Sequence, residues 1–252
     1  MKYIRSLRQR KYRDRYKVFV AEGDKIVQEL LGESGLQLEM ICGLNSWMDK
    51  MRAQTPPHVQ CIAVSPKELG RISTLKTPNQ VLAVVQQPAY PLPEEFADHE
   101  LVLMLDSIQD PGNLGTMIRT ADWFGVHHIF CSPCTADVYN PKVIQASMGS
   151  FMRTKVYYGE LDQLIRKIKG KLTVYGAFLE GEEVPGASLS LPAALLIGNE
   201  SKGISANTAS LADRKLSVPR HHPADAPQVA DSLNAAVASG IMMAWFRHKE
   251  YK

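Results

Sequence analysis

Four cysteines in 252 residues, Cys42, Cys61, Cys131 and Cys134, are too few and too scattered for the disulfide framework of a small secreted domain. No apolar run approaches the ~20 residues that span a bilayer, and the charged first residues are not followed by an apolar signal core. A cytoplasmic location away from membranes is therefore expected. No G-x-G-x-x-G follows a strand-like run, which removes the dinucleotide fingerprint. Gly198 and Gly203 have P-loop spacing, but Ile204 stands where that loop needs its Lys. Metal ligands are also scarce. His128, Cys131 and Cys134 invite a zinc reading, yet two of them would lie on a strand and a fourth ligand is missing. Cys131-Ser-Pro-Cys134 has redox-motif spacing without a thioredoxin-like setting. No metal is expected, and no internal repeat or low-complexity segment occurs.

What is present is an ordinary globular composition, 45% hydrophobic and 22% charged, over a length that suits one large domain or two modest ones. The net charge of +3 is mild, but its distribution is uneven. The first seventeen residues hold Lys2, Arg5, Arg8, Arg10, Lys11, Arg13, Arg15 and Lys17 against the single acid Asp14, with Tyr3, Tyr12 and Tyr16 interleaved. Cations release counterions from a phosphate backbone and aromatic rings stack on unpaired bases, so the segment has the makeup of an RNA-contacting arm. A solvated basic helix with tyrosines on its buried side would have the same composition.

Strand and helix patterns then alternate. Residues 18–21, 38–42, 59–64 and 81–85 read as strands, and 24–31 and 66–75 as helices, which predicts a small α/β domain without a catalytic constellation. His58, beside prolines, reads as a loop residue. Residues 86–99 carry Pro88, Pro91 and Pro93 with several acids and make the best linker. The expected domains are thus 1–90 and 100–252.

The second domain is organised around 101–125. Leu101-Val-Leu-Met-Leu105 is an apolar run of strand length, suited to a strand buried on both faces of a parallel sheet. Asp110-Pro-Gly forces a turn, and Asn113 is expected to cap the helix in which Leu114, Met117, Ile118, Ala121 and Phe124 recur before Gly125. Asn113 would then sit at the carboxyl end of a strand, where open α/β sheets bind ligands. Arg119 lies off the apolar stripe and needs an anion, unless it is simply solvated. Further strands are read at 126–131, 172–179, 194–197 and 216–219, and helices at 140–150 and 161–168. Lys142, near the start of the first of these helices, could meet a phosphate or stay exposed. Glu200 could accept from a ligand or orient Arg119. His221 and His222 sit in a polar, Pro-bearing loop where they could act as bases or ligands but more often are solvated. Ser232 is read as the N-cap of a last helix through Ala235, Ala238, Ile241, Met242 and Trp245.

Three segments stand in order: Asn113-x-Gly115-x-x-x-Arg119-Thr-Ala, Leu196-Ile-Gly-Asn-Glu200-x-x-Gly203, and Val218-Pro219 followed by Ser232-Leu-Asn234. Together they resemble the three motifs of the SpoU (TrmH-type) RNA 2′-O-ribose methyltransferases of the SPOUT class. Asp137-Val-Tyr-Asn-Pro-Lys142 and Ala146-Ser-Met-Gly149 are similar to its rRNA-directed members, and Phe19-Val-Ala-Glu-Gly23 with 77–85 to the small substrate-binding domain that precedes catalysis there. The resemblance covers nearly the whole chain. It implies a C-terminal parallel-sheet α/β domain with a trefoil knot, one of the rare exceptions to unknotted chains. It also implies a homodimer, an RNA substrate (rRNA before tRNA) and S-adenosylmethionine as cofactor. By position Gly198, Val218 and Leu233 would contact the cofactor, and Arg119, Asn113, Glu200, Ser232 and Asn234 would form the catalytic site. Two departures stand out: Ser201 replaces a common Gly after Glu200, and residues 220–231 form a longer loop than usual, starting with Arg220 in place of Met.

These residue types suit the implied chemistry. A sulfonium methyl is already electrophilic, so catalysis means aligning oxygen, methyl and sulfur and stabilising charge on the oxygen. A cation beside the hydroxyl favours its ionised form, although guanidinium is a poor base. Arg119 is therefore expected as an electrostatic and phosphate-positioning group, the proton leaving to a phosphate oxygen or water. The alternatives are an idle RNA-binding protein of ribosome assembly, a tRNA-directed methyltransferase, and a nucleotide-binding α/β enzyme, which the missing P-loop Lys and glycine fingerprint disfavour.

Overall fold

The computed structural model describes residues 1–32, 35–221 and 230–248, which form two compact units. One unit contains residues 1–89 together with 137–153, and the other contains 90–136 and 154–252.

The basic N-terminal segment folds as two short helices, α1 (Lys2–Ser6) and α2 (Arg10–Tyr16), broken at Leu7 to Gln9 and ended by Lys17 at a left-handed φ of 55°. Then come β1 (Val18–Glu22), α3 (Asp24–Leu31), β2 (Leu38–Gly43), α4 (Asn45–Met51), β3 (Gln60–Ala63), α5 (Pro66–Ile72) and β4 (Val81–Gln86). Apart from α4 the order matches the sequence pattern, with ends shifted by a residue or two. The helix at α5 stops at Ile72, short of the expected Leu75. Its Ser65 and Glu68 form a reciprocal capping box, with Pro66 at the first helical position. The sheet order is β1-β4-β2-β3, with β2 and β3 parallel and the other pairs antiparallel. Ile4, Leu7, Val18, Val20, Leu69, Ile72, Leu82 and Val84 form one buried core, so the N-terminal helices are fastened to the sheet by apolar side chains.

Arg13 is fastened as well. It is 2% exposed, donates twice to Asp137 Oδ2 (2.6 and 3.1 Å) and closes on the carbonyls of Leu7 (2.8 Å) and Arg8 (2.9 Å). Of the eight cations in the segment, Arg13 is thus the one closed into the fold among those described. Its charge is consumed by a half-buried carboxylate and by the break between α1 and α2.

The second unit contains β5 (Leu101–Leu105), α6 (Pro111–Trp123) and β6 (His128–Cys131). Chain order then passes through α7 (Pro141–Ser147), in the first unit, to β7 (Lys155–Tyr158), α8 (Leu161–Ile168), β8 (Thr173–Glu183), β9 (Ala193–Ile197), α9 (Ala206–Ala209), β10 (Arg214–Ser217) and α10 (Ala235–His248). The six strands are ordered β10-β8-β9-β5-β6-β7 and every pair is parallel. As the unbroken apolar runs require, β5 and β9 are buried along their whole length. Tyr90 and Phe96, from the Pro-rich stretch, pack on the core formed by Val102, Met104, Phe130, Tyr157 and Leu161. His128 lies beside them, its Nδ1 3.0 Å from the Tyr157 hydroxyl, while Cys131 is fully buried in β6. Among the described residues no three His, Cys, Asp or Glu side chains gather as metal ligands. The long helices α6 and α10 pack together, and Arg247 near the end of α10 donates to the carbonyls of Phe124 (2.8 Å) and Gly125 (3.2 Å) that close α6.

Candidate active site

The pairing of β5 with β9 puts two loops side by side. Leu105 is opposite Ile197, and Asp106 N donates to Ile197 O at 2.8 Å, so the turn into α6 and the turn after β9 leave the same sheet end together.

The first turn differs from expectation at its cap. Asp110, not Asn113, is the N-cap: its Oδ1 accepts from Asn113 N at 2.8 Å, and Pro111 takes the first helical position. A preceding aspartate and a proline with no N–H to satisfy move the helix start three residues upstream. The Asn113 side chain is thereby released from capping. It donates through Nδ2 to Glu200 Oε1 (2.9 Å), and its Oδ1 accepts from Asn234 Nδ2 (3.0 Å). A second correction applies to α10. Its cap is Asn234 rather than Ser232, because the helix begins at Ala235 and Asn234 Oδ1 accepts from the N–H groups of Ala236 (3.0 Å) and Val237 (3.2 Å). With its oxygen committed to the helix, Asn234 directs Nδ2 to Glu200 Oε1 at 2.5 Å, and Ala235 N reaches the same oxygen at 3.1 Å. A carboxylate at the start of a helix also meets the positive end of its dipole.

Asn113, Glu200 and Asn234, 87 and 121 positions from one end of the cluster to the others, therefore meet on one carboxylate oxygen. Ser232 is exposed and outside this cluster. Arg119 is exposed too, and among the described residues it makes no hydrogen bond or ion pair. Six residues beyond Asn113, it lies about 9 Å along α6 and roughly a third of a turn round.

The loop after β9 is shaped by backbone proximity. A Cβ on Gly198 would lie 2.3 Å from Gly203 C and from Ile204 N, so only glycine fits. Asn199 and Gly203 exchange backbone hydrogen bonds of 3.0 and 2.8 Å, and Gly203 takes φ 67°. Asn199 Oδ1 accepts from the N–H groups of Ser201 (3.0 Å) and Lys202 (3.1 Å), and its Nδ2 donates to Ser107 O at 2.9 Å. Ser201, unusual at its position, is thus accommodated through its backbone. The buried Asp106 holds the far side, accepting from Ser205 N (2.9 Å) and Ser107 Oγ (3.0 Å). Sequence reasoning missed Asp106, Asp110 and Asn199. A carboxylate directly after five buried apolar residues, as Asp106 is, was the signal available.

Val218 follows β10 and is half-buried, while Leu233 is 45% exposed. Among the described residues the backbones of both are free of hydrogen bonds, so their N–H and C=O groups can serve a ligand. The Arg220 guanidinium donates to Asp231 O at 2.8 Å across the ends of the long loop. His221 is exposed, and His222 lies outside the described residues.

Two family models match: residues 100–244 fit the SpoU rRNA Methylase family and residues 1–83 an MRM3-like substrate binding domain. The 23S rRNA (guanosine(2553)-2′-O)-methyltransferase RlmP of Bacillus subtilis is 31% identical over 95% of this chain and 92% of its own length. Among solved structures, an AdoMet-bound rRNA methyltransferase from Sinorhizobium meliloti superposes with a TM-score of 0.87 at 30% identity, covering 98% of this chain and 94% of that one. The SpoU methyltransferase AviRb from Streptomyces viridochromogenes, in complex with AdoMet, gives 0.87 at 25% identity over 100% and 97%. With its three motif segments joined through Glu200 and residues 100–244 matching the family model, the chain belongs to the SpoU rRNA methylase family.

Proposed function

We propose that this chain transfers a methyl group from S-adenosylmethionine to a ribose 2′-hydroxyl of RNA, and that its substrate is 23S rRNA. The observation that carries the reading is the convergence of Asn113, Asn234 and Ala235 N on Glu200 Oε1, which locks the loop after β9 to the starts of α6 and α10. The relatives named above act on rRNA or bind the same donor, and they align over nearly all of both chains.

The residues present fit the donor. The free backbones of Val218 and Leu233 and the tight turn at Gly198 would hold it, by main-chain contacts that need no charged side chain. When bound, S-adenosylmethionine supplies a methyl group on a sulfonium that leaves as a neutral thioether. The protein's part is placement and electrostatics. Glu200, Asn113 and Asn234 satisfy one another and keep the loops fixed. Arg119, charged and among the described residues without an anionic partner, is available to the RNA phosphate and to the oxygen that attacks. The 2′-oxygen forms its bond to carbon as the carbon–sulfur bond breaks, and its proton passes to a phosphate oxygen or water. Ser232, exposed beside Leu233, is assigned to contact the ribose.

The working unit is proposed to be a homodimer. Trp123 is 85% exposed four residues after Arg119, on the same face of α6, and an apolar ring so exposed next to Arg119 is suited to cover by a second copy. Residues 1–90 are assigned to holding the RNA and 100–252 to methyl transfer, with the family's trefoil knot in the latter. No described helix is long and apolar enough to cross a membrane. A cytoplasmic location is part of the same proposal.

The test is ribose-methylation mapping of rRNA and tRNA from cells with and without the gene, joined to transfer assays on unmodified 23S rRNA. One 23S position losing methylation is expected; loss only in tRNA would reject the rRNA assignment. Arg119→Ala should abolish transfer yet keep donor binding, and full activity in that variant would remove Arg119 from the mechanism.

A further inference from the structure

The N-terminal tyrosines do not all turn into the core. Tyr3 and Tyr12 lean on the buried cluster around Leu7 and Val84. Tyr16, at the end of α2, is 42% exposed and rests on both: its ring is edge-on to Tyr3 at 5.2 Å and within 11° of parallel to Tyr12 at 6.3 Å. Tyr3 is itself pinned, its hydroxyl donating to Glu39 Oε1 at 3.0 Å. A large aromatic ring is thus kept partly in water on a rigid aromatic base. Cations crowd it. Arg15 Cζ lies 5.6 Å from the Tyr16 ring centre and Lys11 Nζ 4.9 Å from that of Tyr12. Exposed Lys2, Arg5 and Lys17 belong to the same short helices and their flank, while the only acid of the segment, Asp14, is taken up by Arg10 at 3.5 Å.

Resting on the RNA-modifying function proposed above, we infer that Tyr16 is a stacking platform for an unpaired base of the RNA, with Lys11 and Arg15 neutralising the phosphates on either side. The chemistry selects a single-stranded nucleotide. A duplex hides its base faces and offers phosphates, 2′-hydroxyls and groove edges, whereas an unpaired base presents a π-face to the ring and its backbone to the cations. Charge complementarity also argues for nucleic acid over an apolar protein partner, because the exposed ring is bordered by cations, while Asp14 is paired with Arg10 and Glu39 of β2 is engaged by the Tyr3 hydroxyl. Arg13 contributes nothing here, being closed into the fold on Asp137.

The test is equilibrium binding of the full chain to a 12-nucleotide single-stranded RNA, to the same strand with abasic riboses, and to an RNA duplex of equal length, across a salt series. Tyr16→Ala should weaken binding of the intact single strand by roughly 5- to 100-fold and leave its salt slope unchanged. Lys11→Gln or Arg15→Gln should each lower that slope by about one phosphate contact. Tyr16→Trp should retain affinity and show indole fluorescence quenched by the intact strand but not by the abasic one. Equal affinity of wild type for intact and abasic strands, or unchanged binding by Tyr16→Ala with unchanged thermal unfolding, overturns the platform. The readout needs no methyl donor. Failure here with methyl transfer intact would therefore reject the platform alone, and absent donor binding with normal RNA stacking would reject the methyltransferase reading alone.

Discussion

Glu200 is the residue whose removal tests the site most directly. One of its oxygens accepts from Asn113 Nδ2, Asn234 Nδ2 and Ala235 N at 2.9, 2.5 and 3.1 Å. Glu200→Ala leaves three donors without their acceptor. Because the cluster is open to solvent, water replaces much of what is lost, and the cost falls well below three charged hydrogen bonds, at about 1–2 kcal/mol. Spread over a domain of this size, that lowers the unfolding midpoint by roughly 2–8 °C. If the carboxylate couples the Gly198–Gly203 loop to the start of α10, the same 1–2 kcal/mol also appears in donor binding, as a Kd about 5- to 30-fold weaker. Glu200→Gln separates geometry from charge. Its amide oxygen can still accept from the same groups, so only the helix-dipole and charge-assisted parts go, about 0.3–1 kcal/mol. Isothermal titration of S-adenosylmethionine into wild type, Glu200→Ala, Asn234→Ala and the double variant measures the coupling directly. Donor affinity and transfer unchanged in Glu200→Ala, or single effects that add to within about 0.3–0.5 kcal/mol, would refute the idea that these residues act as one unit.

Other outcomes follow from individual contacts. Gly198→Ala must push the backbone of Gly203 and Ile204 out of the way of a Cβ 2.3 Å distant; about 1–3 kcal/mol of strain should be concentrated in this loop, abolishing donor binding by titration while far-ultraviolet circular dichroism stays native. Arg13→Ala leaves the Asp137 carboxylate in a site only 12% exposed, and urea unfolding should show a loss of about 3–5 kcal/mol, whereas Arg5→Gln should fall within about 0.5 kcal/mol of wild type. Burial pushes the His128 imidazole below its ordinary value of 6.5, helped by Lys155 and His127 and opposed by Glu100. The unfolded chain then binds more protons than the folded one, so this contribution to stability is complete above pH 6.5 and is lost as pH falls through the lower folded value. Unfolding free energies from pH 8 to 5 should decline less steeply in His128→Gln, and equal slopes would count against the shift.

Most strands were legible because burial on both faces leaves a compositional mark. Leu101–Leu105 and Ala193–Ile197 are continuous apolar runs, and every one of their residues is buried. The helix over Asp24–Leu31 was readable to the residue from its apolar spacing. Helix α4 was not, since only Trp47 and Met51 of its seven residues are buried and neither capping nor a clear period announces it. Nor was the full length of β8, whose second half, from Leu179 to Glu183, is polar or exposed and pairs only with the short β10. Those residues are held by a neighbouring backbone rather than by a core, which side-chain patterns do not record.

Cap residues show the same limit at the site itself. Asn113 and Ser232 both carry N-cap chemistry, and each sits a few residues from a helix start, yet neighbours Asp110 and Asn234 take the caps. Local propensity cannot rank two good caps two or three residues apart; the rest of the fold does. At α6, capping by Asp110 leaves Asn113 with a free amide facing the β9 loop, and at α10 Asn234 uses one end of its amide for the helix and the other for Glu200. The displaced cap is therefore not a detail of helix ends. It is what turns two capping-type residues into ligands of one carboxylate, and it leaves Arg119, about a third of a turn round α6, as a charged group that among the described residues makes no hydrogen bond or ion pair. A group meant to meet an RNA phosphate must keep its charge uncommitted until substrate arrives, whereas groups meant to fix the loops must be satisfied beforehand. Asn113→Asp sets these two demands against each other. It puts a second carboxylate against Glu200 while leaving Arg119 in place, and transfer should fall together with donor affinity; a variant that binds donor normally but fails in transfer would mean that Asn113 touches the reacting ribose itself.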